Sequence, residues 1–321
     1  MPAVIEEIER LMTPTRAGDP MTGLKWTRKT TDKVSRELKR AGIVVGARTV
    51  ARLLTDLDYR LRVNHKKLSR GSAARRSERN RQFGYIQALR QSFLERGDPV
   101  ISVDTKKKEM VGLFKNPGAA WGKTATPVLD HDFRSDAKAM TVPYGVLDLG
   151  ANRGHMFVGT SHDTSQYAVS AVTRWWKVDG QPRYPHANRL LILADNGGSN
   201  GSRRRGWKYE LHHKLCNPHD LEVTVCHFPS GASKWNPIEH LLFSQVSKNW
   251  AGEPLVNLET MLNFMRTTRT EKGLRVRATL VNGNYPTGIK VAAEAMASVN
   301  IIPHDVLPAW NYTIAPGAPK M

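Results

Sequence analysis

The chain has 321 residues, a 40% hydrophobic share and a formal net charge of +19. That length suffices for two or three domains with a sizeable core, and the hydrophobic share excludes wholesale disorder. No apolar run approaches the ~20 residues of a membrane span and no apolar signal core follows Met1, so a cytoplasmic protein is expected.

From the N-terminus, Val4, Ile5, Ile8, Leu11 and Met12 recur at helical spacing and predict a helix over 2–13. Residues 14–25, with Pro14, Gly18, Asp19 and Pro20, read as a loop. A helix over 31–41 follows, capped by Thr30 or Thr31, with Val34, Leu38 and Ala41 on one face. Gly42-Ile-Val-Val-Gly46 makes a turn, and Val50, Leu53, Leu54 and Leu57 set the inner face of a helix over 47–58. Two short helices around a glycine turn form a helix-turn-helix candidate over 31–58. Its outward Arg48, Thr49, Arg52 and Thr55 are types that reach phosphates and base edges. A plain helical hairpin with a basic face is the competing reading. The charge favours DNA: residues 21–90 hold 19 Lys and Arg against 5 Asp and Glu, a net +14. The helical DNA-binding region is placed at 1–63. A basic linker over 64–80 and a helix over 75–95 fill a second segment, 64–97.

A mixed α/β region is expected over 98–252. Strands are predicted at 99–104, 142–149, 155–160, 189–195 and 221–227, and helices at 164–177, 202–215 and 236–250. The strands at 142–149 and 155–160 pair antiparallel across Gly150-Ala-Asn-Arg-Gly154. The order strand-strand-strand-helix-strand-helix-strand-helix describes a mixed sheet with helices on both faces, the element order of the ribonuclease-H-like fold. The tail, 253–321, reads as a helix over 255–268, then a hairpin over 274–285 around Asn282-Gly283.

Three carboxylates stand out. Asp104 closes the apolar run from Pro99, Asp195 closes Arg189-Leu-Leu-Ile-Leu-Ala-Asp195 before a glycine-rich loop, and Glu239 begins the last helix of this region. Two strand-end aspartates and a helical glutamate can converge on a pair of divalent cations, the arrangement for in-line attack on a phosphodiester. Mg2+ suits such oxygen ligands and keeps waters that a substrate can replace. Each residue also has a plainer reading. Asp195 can begin a turn into Asn196-Gly197. Glu239 can be the third position of a capping box whose cap is Asn236. Asp148 is a lower-ranked rival to Asp104. The glycine stretch 197–201 lacks the Lys-Ser/Thr ending of a P-loop. Lys106, Lys107, Lys108, Arg203, Arg204, Arg205 and Lys234 flank the carboxylates and are candidate DNA-backbone contacts. Cys216 and Cys226 cannot build a disulfide framework or a four-ligand zinc site by themselves.

Four strings carry a resemblance: Val100-Ile-Ser-Val-Asp-Thr-Lys-Lys-Lys-Glu109, Ala194-Asp-Asn-Gly-Gly-Ser-Asn-Gly-Ser202, Val225-Cys-His-Phe-Pro-Ser-Gly-Ala-Ser-Lys-Trp-Asn-Pro-Ile-Glu-His240 and Trp310-Asn-Tyr-Thr-Ile314. They resemble the Rhodopirellula-type DDE transposases of insertion sequences, relatives of mariner-like elements, from about Thr22 onward. The resemblance implies a ribonuclease-H-like catalytic domain, two Mg2+ or Mn2+ ions, and a cut-and-join reaction on double-stranded DNA at transposon ends and target. It maps the acidic triad onto Asp104, Asp195 and Glu239, and implies a homodimer or higher oligomer on nucleoid DNA in a bacterial cytoplasm. Asn196 stands where many relatives have glycine. Relatives carry a further helix-turn-helix ahead of 31–58, so this copy is expected to be N-terminally shortened. A catalytically silent DNA-binding remnant or repressor, and a nuclease that only cuts, are the alternatives.

Overall fold

Residues 2–12, 17–18, 25–26, 30–57, 59 and 73–317 are described by a computed structural model. The chain divides into two units, Met1–Leu68 and Ser69–Met321.

In the first unit, α1 (Pro2–Met12), α2 (Thr31–Arg40) and α3 (Ala47–Asp56) stand where helical spacing puts them. The Thr30 hydroxyl caps α2 by accepting the Lys33 N–H at 3.3 Å. Gly42 turns the chain at φ +82°, a conformation that costs glycine no Cβ clash. Ile8, Val34, Leu38, Val50 and Leu53 form the core of the three helices. Within the segment expected as a loop, Ala17–Gly18 pairs antiparallel with Lys25–Trp26. Residues 64–72 of the expected basic linker lie outside the described residues.

The second unit opens with α4 (Ala73–Glu95). Among the described residues nine strands follow: β1 (Val100–Thr105), β2 (Glu109–Val111), β3 (Ala139–Asp148), β4 (Arg153–Gly159), β5 (Arg189–Ala194), β6 (Glu222–His227), β7 (Arg275–Val281), β8 (Ile301–Pro303) and β9 (Asn311–Ile314). They form one mixed sheet in the order β8-β9-β6-β5-β1-β3-β4-β7, with β2 on β3. Strand β1 runs antiparallel to β3 and parallel to β5, while β5 is parallel to β6. The central order β4-β3-β1-β5-β6 is that of a ribonuclease-H-like sheet.

Alternation along β1 assigns its two faces. Ile101 and Val103 pack with Tyr167, Ala171 and Val172 of α5 (Ser165–Trp175), and with Trp207 and Leu211 of α6 (Arg205–Leu211). Val100 turns the other way, with Leu191 and Leu193, onto Ile86 and Phe93 of α4. Leu242 and Val246, the latter in α7 (Ser244–Asn249), pack with Met261 and Met265 of α8 (Leu258–Thr267) over β4 and β7. Helix α4 and the tail strands thus complete the sheet unit.

Three local expectations change. The hairpin over 274–285 is instead a single strand, β7, parallel to β4. Gly283 lacks the left-handed backbone that a tight Asn-Gly turn requires, and Val276 and Ala278 gain burial at the sheet edge. The helix expected over 202–215 starts only at Arg205, because Arg204 is extended, and it ends in a π-turn over His212–Cys216. The helix expected over 236–250 opens with a π-turn, Glu239–Phe243, ahead of α7.

Candidate active site

Parallel pairing of β1 with β5 sets Val103 opposite Ala194. The next residue of each strand is an aspartate, so Asp104 and Asp195 emerge side by side at one end of the sheet. Burial ends there as well: Ala194 is fully buried, whereas Asp104 and Asp195 are half-buried.

Glu239 reaches the same end through Asn236. The Asn236 side-chain oxygen accepts from the Ser102 hydroxyl at 2.5 Å. Its amide nitrogen donates to the Asp195 carboxylate at 3.1 Å and to the Val103 carbonyl at 3.4 Å. Ser102 also accepts the Ile238 backbone N–H at 3.1 Å. The start of the Glu239 turn is therefore tied to both strands. This corrects the capping-box reading. The backbone N–H of Asn236 donates to the Ser233 carbonyl at 2.8 Å, so it is already engaged, and its side chain serves the strands. Ser102 and the bridging role of Asn236 were missed. Ser102 carried a signal: it is a polar residue inside an apolar run, and it is fully buried.

Burial raises all three carboxylates, and the Asp195 charge adds to the rise at the other two. Asp104 is pushed up to about 8 by burial and by the Asp195 charge, against a hydrogen bond from the Thr105 N–H, with Glu239 and Asp163 adding to the rise. Asp195 is raised by burial, countered by the Asn236 hydrogen bond. Glu239 is raised by burial and by Asp195, and eased by His240 and Lys106. Asp163 is a fourth carboxylate the sequence reading did not pick out. It accepts from the Thr105 hydroxyl at 3.0 Å. Among the described residues, no three His, Cys, Asp or Glu are spaced as a ready-made ion cage. The donors are carboxylate oxygens, which fit a hard divalent cation, and a cation would relieve their mutual repulsion.

A family model described as the Rhodopirellula transposase DDE domain matches residues 7–316. The chain belongs to that family. It is a DDE-type transposase. Among solved structures, a Mos1 transposase paired-end complex with the left transposon end is 15% identical, covering 81% of this chain and 69% of that one at a TM-score of 0.46. The Mos1 strand transfer complex is 14% identical, covering 81% and 68% at 0.46. The Mos1 mariner paired-end complex with Mn is 14% identical, covering 81% and 69% at 0.45. A search of curated proteins finds no match.

The other residues singled out in the transposase divide by exposure. Lys107, Lys108, Arg203, Arg204, Arg205 and Lys234 are exposed. Lys106 is not a free DNA contact. It is only 8% exposed, pairs with Glu109 at 2.5 Å and lies over the Trp250 ring. Asp148 is opposite Ile101, at the other end of β1 from Asp104, and is held by Arg183, Tyr184 and the Ala151 N–H. In the helical unit Arg48 and Arg52 are exposed and Thr49 is half-buried.

Behind Asp195 sits His227, fully buried. A carbonyl can only accept, so Nδ1 carries the proton given to the Asp195 carbonyl at 3.0 Å, and Nε2 accepts from the Tyr312 hydroxyl at 3.0 Å. Gln82 of α4 donates to the His227 carbonyl and to Asn311. This network buttresses the Asp195 loop from β9 and α4.

Proposed function

We propose that Asp104, Asp195 and Glu239 hold divalent metal, two Mg2+ or Mn2+ ions, for cleavage at transposon ends and strand transfer into target DNA. The carrying observation is that all three stand at one end of the sheet, each raised by burial, and that the Asp195 charge raises both Asp104 and Glu239 further. Metal bound there supplies charge to activate an attacking oxygen and to stabilise the leaving one. The chain's own part is positional. Asn236 and Ser102 fix the Asp195 carboxylate and the start of the Glu239 turn relative to β1, and the His227 network holds the Asp195 backbone. Such preorganisation matters because misplaced ligands lose rate steeply.

Duplex DNA is the proposed partner, as transposon end and as target, with the transposase acting as a dimer or higher oligomer in the nucleoid. Exposed Lys107, Lys108, Arg203–Arg205 and Lys234, near the carboxylates in sequence, are candidates for phosphate contact, and Arg48, Thr49 and Arg52 serve the helical unit. The test is a cleavage and strand-transfer assay on the element's terminal repeats, with and without Mg2+. Metal-dependent nicking followed by joining is expected. Nicking without joining identifies a nuclease, and binding without either identifies a silent remnant.

A further inference from the structure

A cavity of about 810 Å³ opens at the β7 edge of the sheet, and six arginines line it: Arg153, Arg183, Arg266, Arg269, Arg275 and Arg277. Three of them are matched. Arg183 pairs with buried Asp148 at 3.0 Å, Arg277 with Asp179 at 2.7 Å and Arg266 with Glu259 at 2.8 Å. Arg153, Arg269 and Arg275 have no carboxylate partner among the described residues. Asp179 is the one acid in the lining, and it also binds His155 at 2.8 Å. The cavity thus concentrates unmatched positive charge that repels itself unless an anion is present.

The place is distinct from the triad. Arg153 stands opposite Arg275 across β4 and β7, and opposite Asp148 across β3, which in turn faces Ile101. The cluster therefore lies three strands across the sheet from Asp104 and three residues nearer the start of β1. Arg275 and Arg277 alternate with buried Val276, so they share one face roughly 7 Å apart. Guanidinium forks match phosphate oxygens with two parallel hydrogen bonds, and a row of them suits successive phosphates better than a single small anion.

We propose that this arginine-lined cavity is a second phosphate-binding surface of the transposase, which takes the sugar-phosphate backbone of duplex DNA away from the catalytic end of the sheet. It rests on the reading that the chain acts on DNA, and it adds a contact that the triad does not need.

The experiment uses the full chain and a labelled duplex, with affinity followed from 50 to 200 mM salt. Two double variants are compared, Arg153→Gln with Arg275→Gln, and Arg269→Gln with Arg275→Gln; the second changes only exposed side chains. Each should lower the salt slope by about two and lose roughly ten-fold less affinity than the parent across that range, with an unchanged melting temperature. An unchanged slope in the folded variants overturns the proposal. So does the case in which only inorganic tripolyphosphate binding is lost, since that assigns the cavity to a free anion. Cleavage is read in parallel. A chain that never cuts DNA but shows the slope change loses the catalytic reading and keeps this one. A chain that cuts with an unchanged slope does the reverse.

Discussion

Asn236 donates to the Asp195 carboxylate at 3.1 Å across 41 residues of sequence, and the same side chain accepts from Ser102. One fully buried amide thereby sets the distance between two acidic residues and the strand that carries the third. Asn236→Ala leaves the Ser102 hydroxyl without its acceptor. It should cost about 1–3 kcal/mol of stability and lower the cleavage rate at temperatures where the variant is still folded. Urea melts and single-turnover cleavage check the pair of effects. Asn236→Ala with normal cleavage would show that the bridge is structural only.

Glu239→Gln separates catalysis from helix capping. Gln can close a capping box, and no such box forms here because the Asn236 N–H is given to Ser233. The expected outcome is loss of cleavage and joining with little change in melting temperature or DNA affinity. Asp195→Asn should behave alike, and the double variant should lose little more, because the ligands act as one unit.

Asp104→Asn should also abolish cleavage, and it should remove a pH dependence from the parent's stability. In the metal-free fold Asp104 is raised to about 8, so the folded state holds a proton that the unfolded chain releases near pH 4. Stability from that proton is present below pH 4 and is lost as pH rises through 8. The parent should therefore weaken between pH 5 and 8 relative to Asp104→Asn, in melts run with a chelator. Parallel curves across that window would remove the repulsion argument.

His227 titrates in the opposite sense. Burial lowers it to about 4, against its hydrogen bond to the Asp195 carbonyl, with Lys208 adding to the fall. The unfolded chain binds this proton near pH 6.5, so stability is present above 6.5 and lost as pH falls toward 4, by about 3 kcal/mol in full. His227→Gln should flatten the urea-midpoint slope between pH 6.5 and 4. A slope unchanged by the substitution would assign it to other groups.

Lys106 and its neighbours should part company. Lys106→Ala leaves Glu109 unpaired and removes the contact with Trp250, at a cost of about 3–5 kcal/mol. Lys107→Ala and Lys108→Ala should leave stability alone and each lower the salt slope of duplex binding by about one. Melting curves and salt titrations of the three variants settle the assignment.

Local pattern was enough to put Asp104 and Asp195 at strand ends. An apolar run ending in a carboxylate marks a strand that leaves the core, and Asp104 and Asp195 each end one, so their exposure at the strand ends was legible before any pairing was known. The helices of the first unit were legible for the same reason: Val34, Leu38, Val50 and Leu53 repeat at the period that puts them on one face. Long motifs added the family. What tertiary structure alone decided is which distant groups meet. Ser102 and Asn236 are 134 residues apart, and Gln82 and Asn311 are 229 apart. No local periodicity encodes such pairs, because they depend on sheet order. The same cause turned the expected hairpin into β7, since a free sheet edge at β4 offered its backbone more than a turn at Gly283 did, and it drew Lys106 inward to Glu109 while Lys107 and Lys108 stayed in solvent.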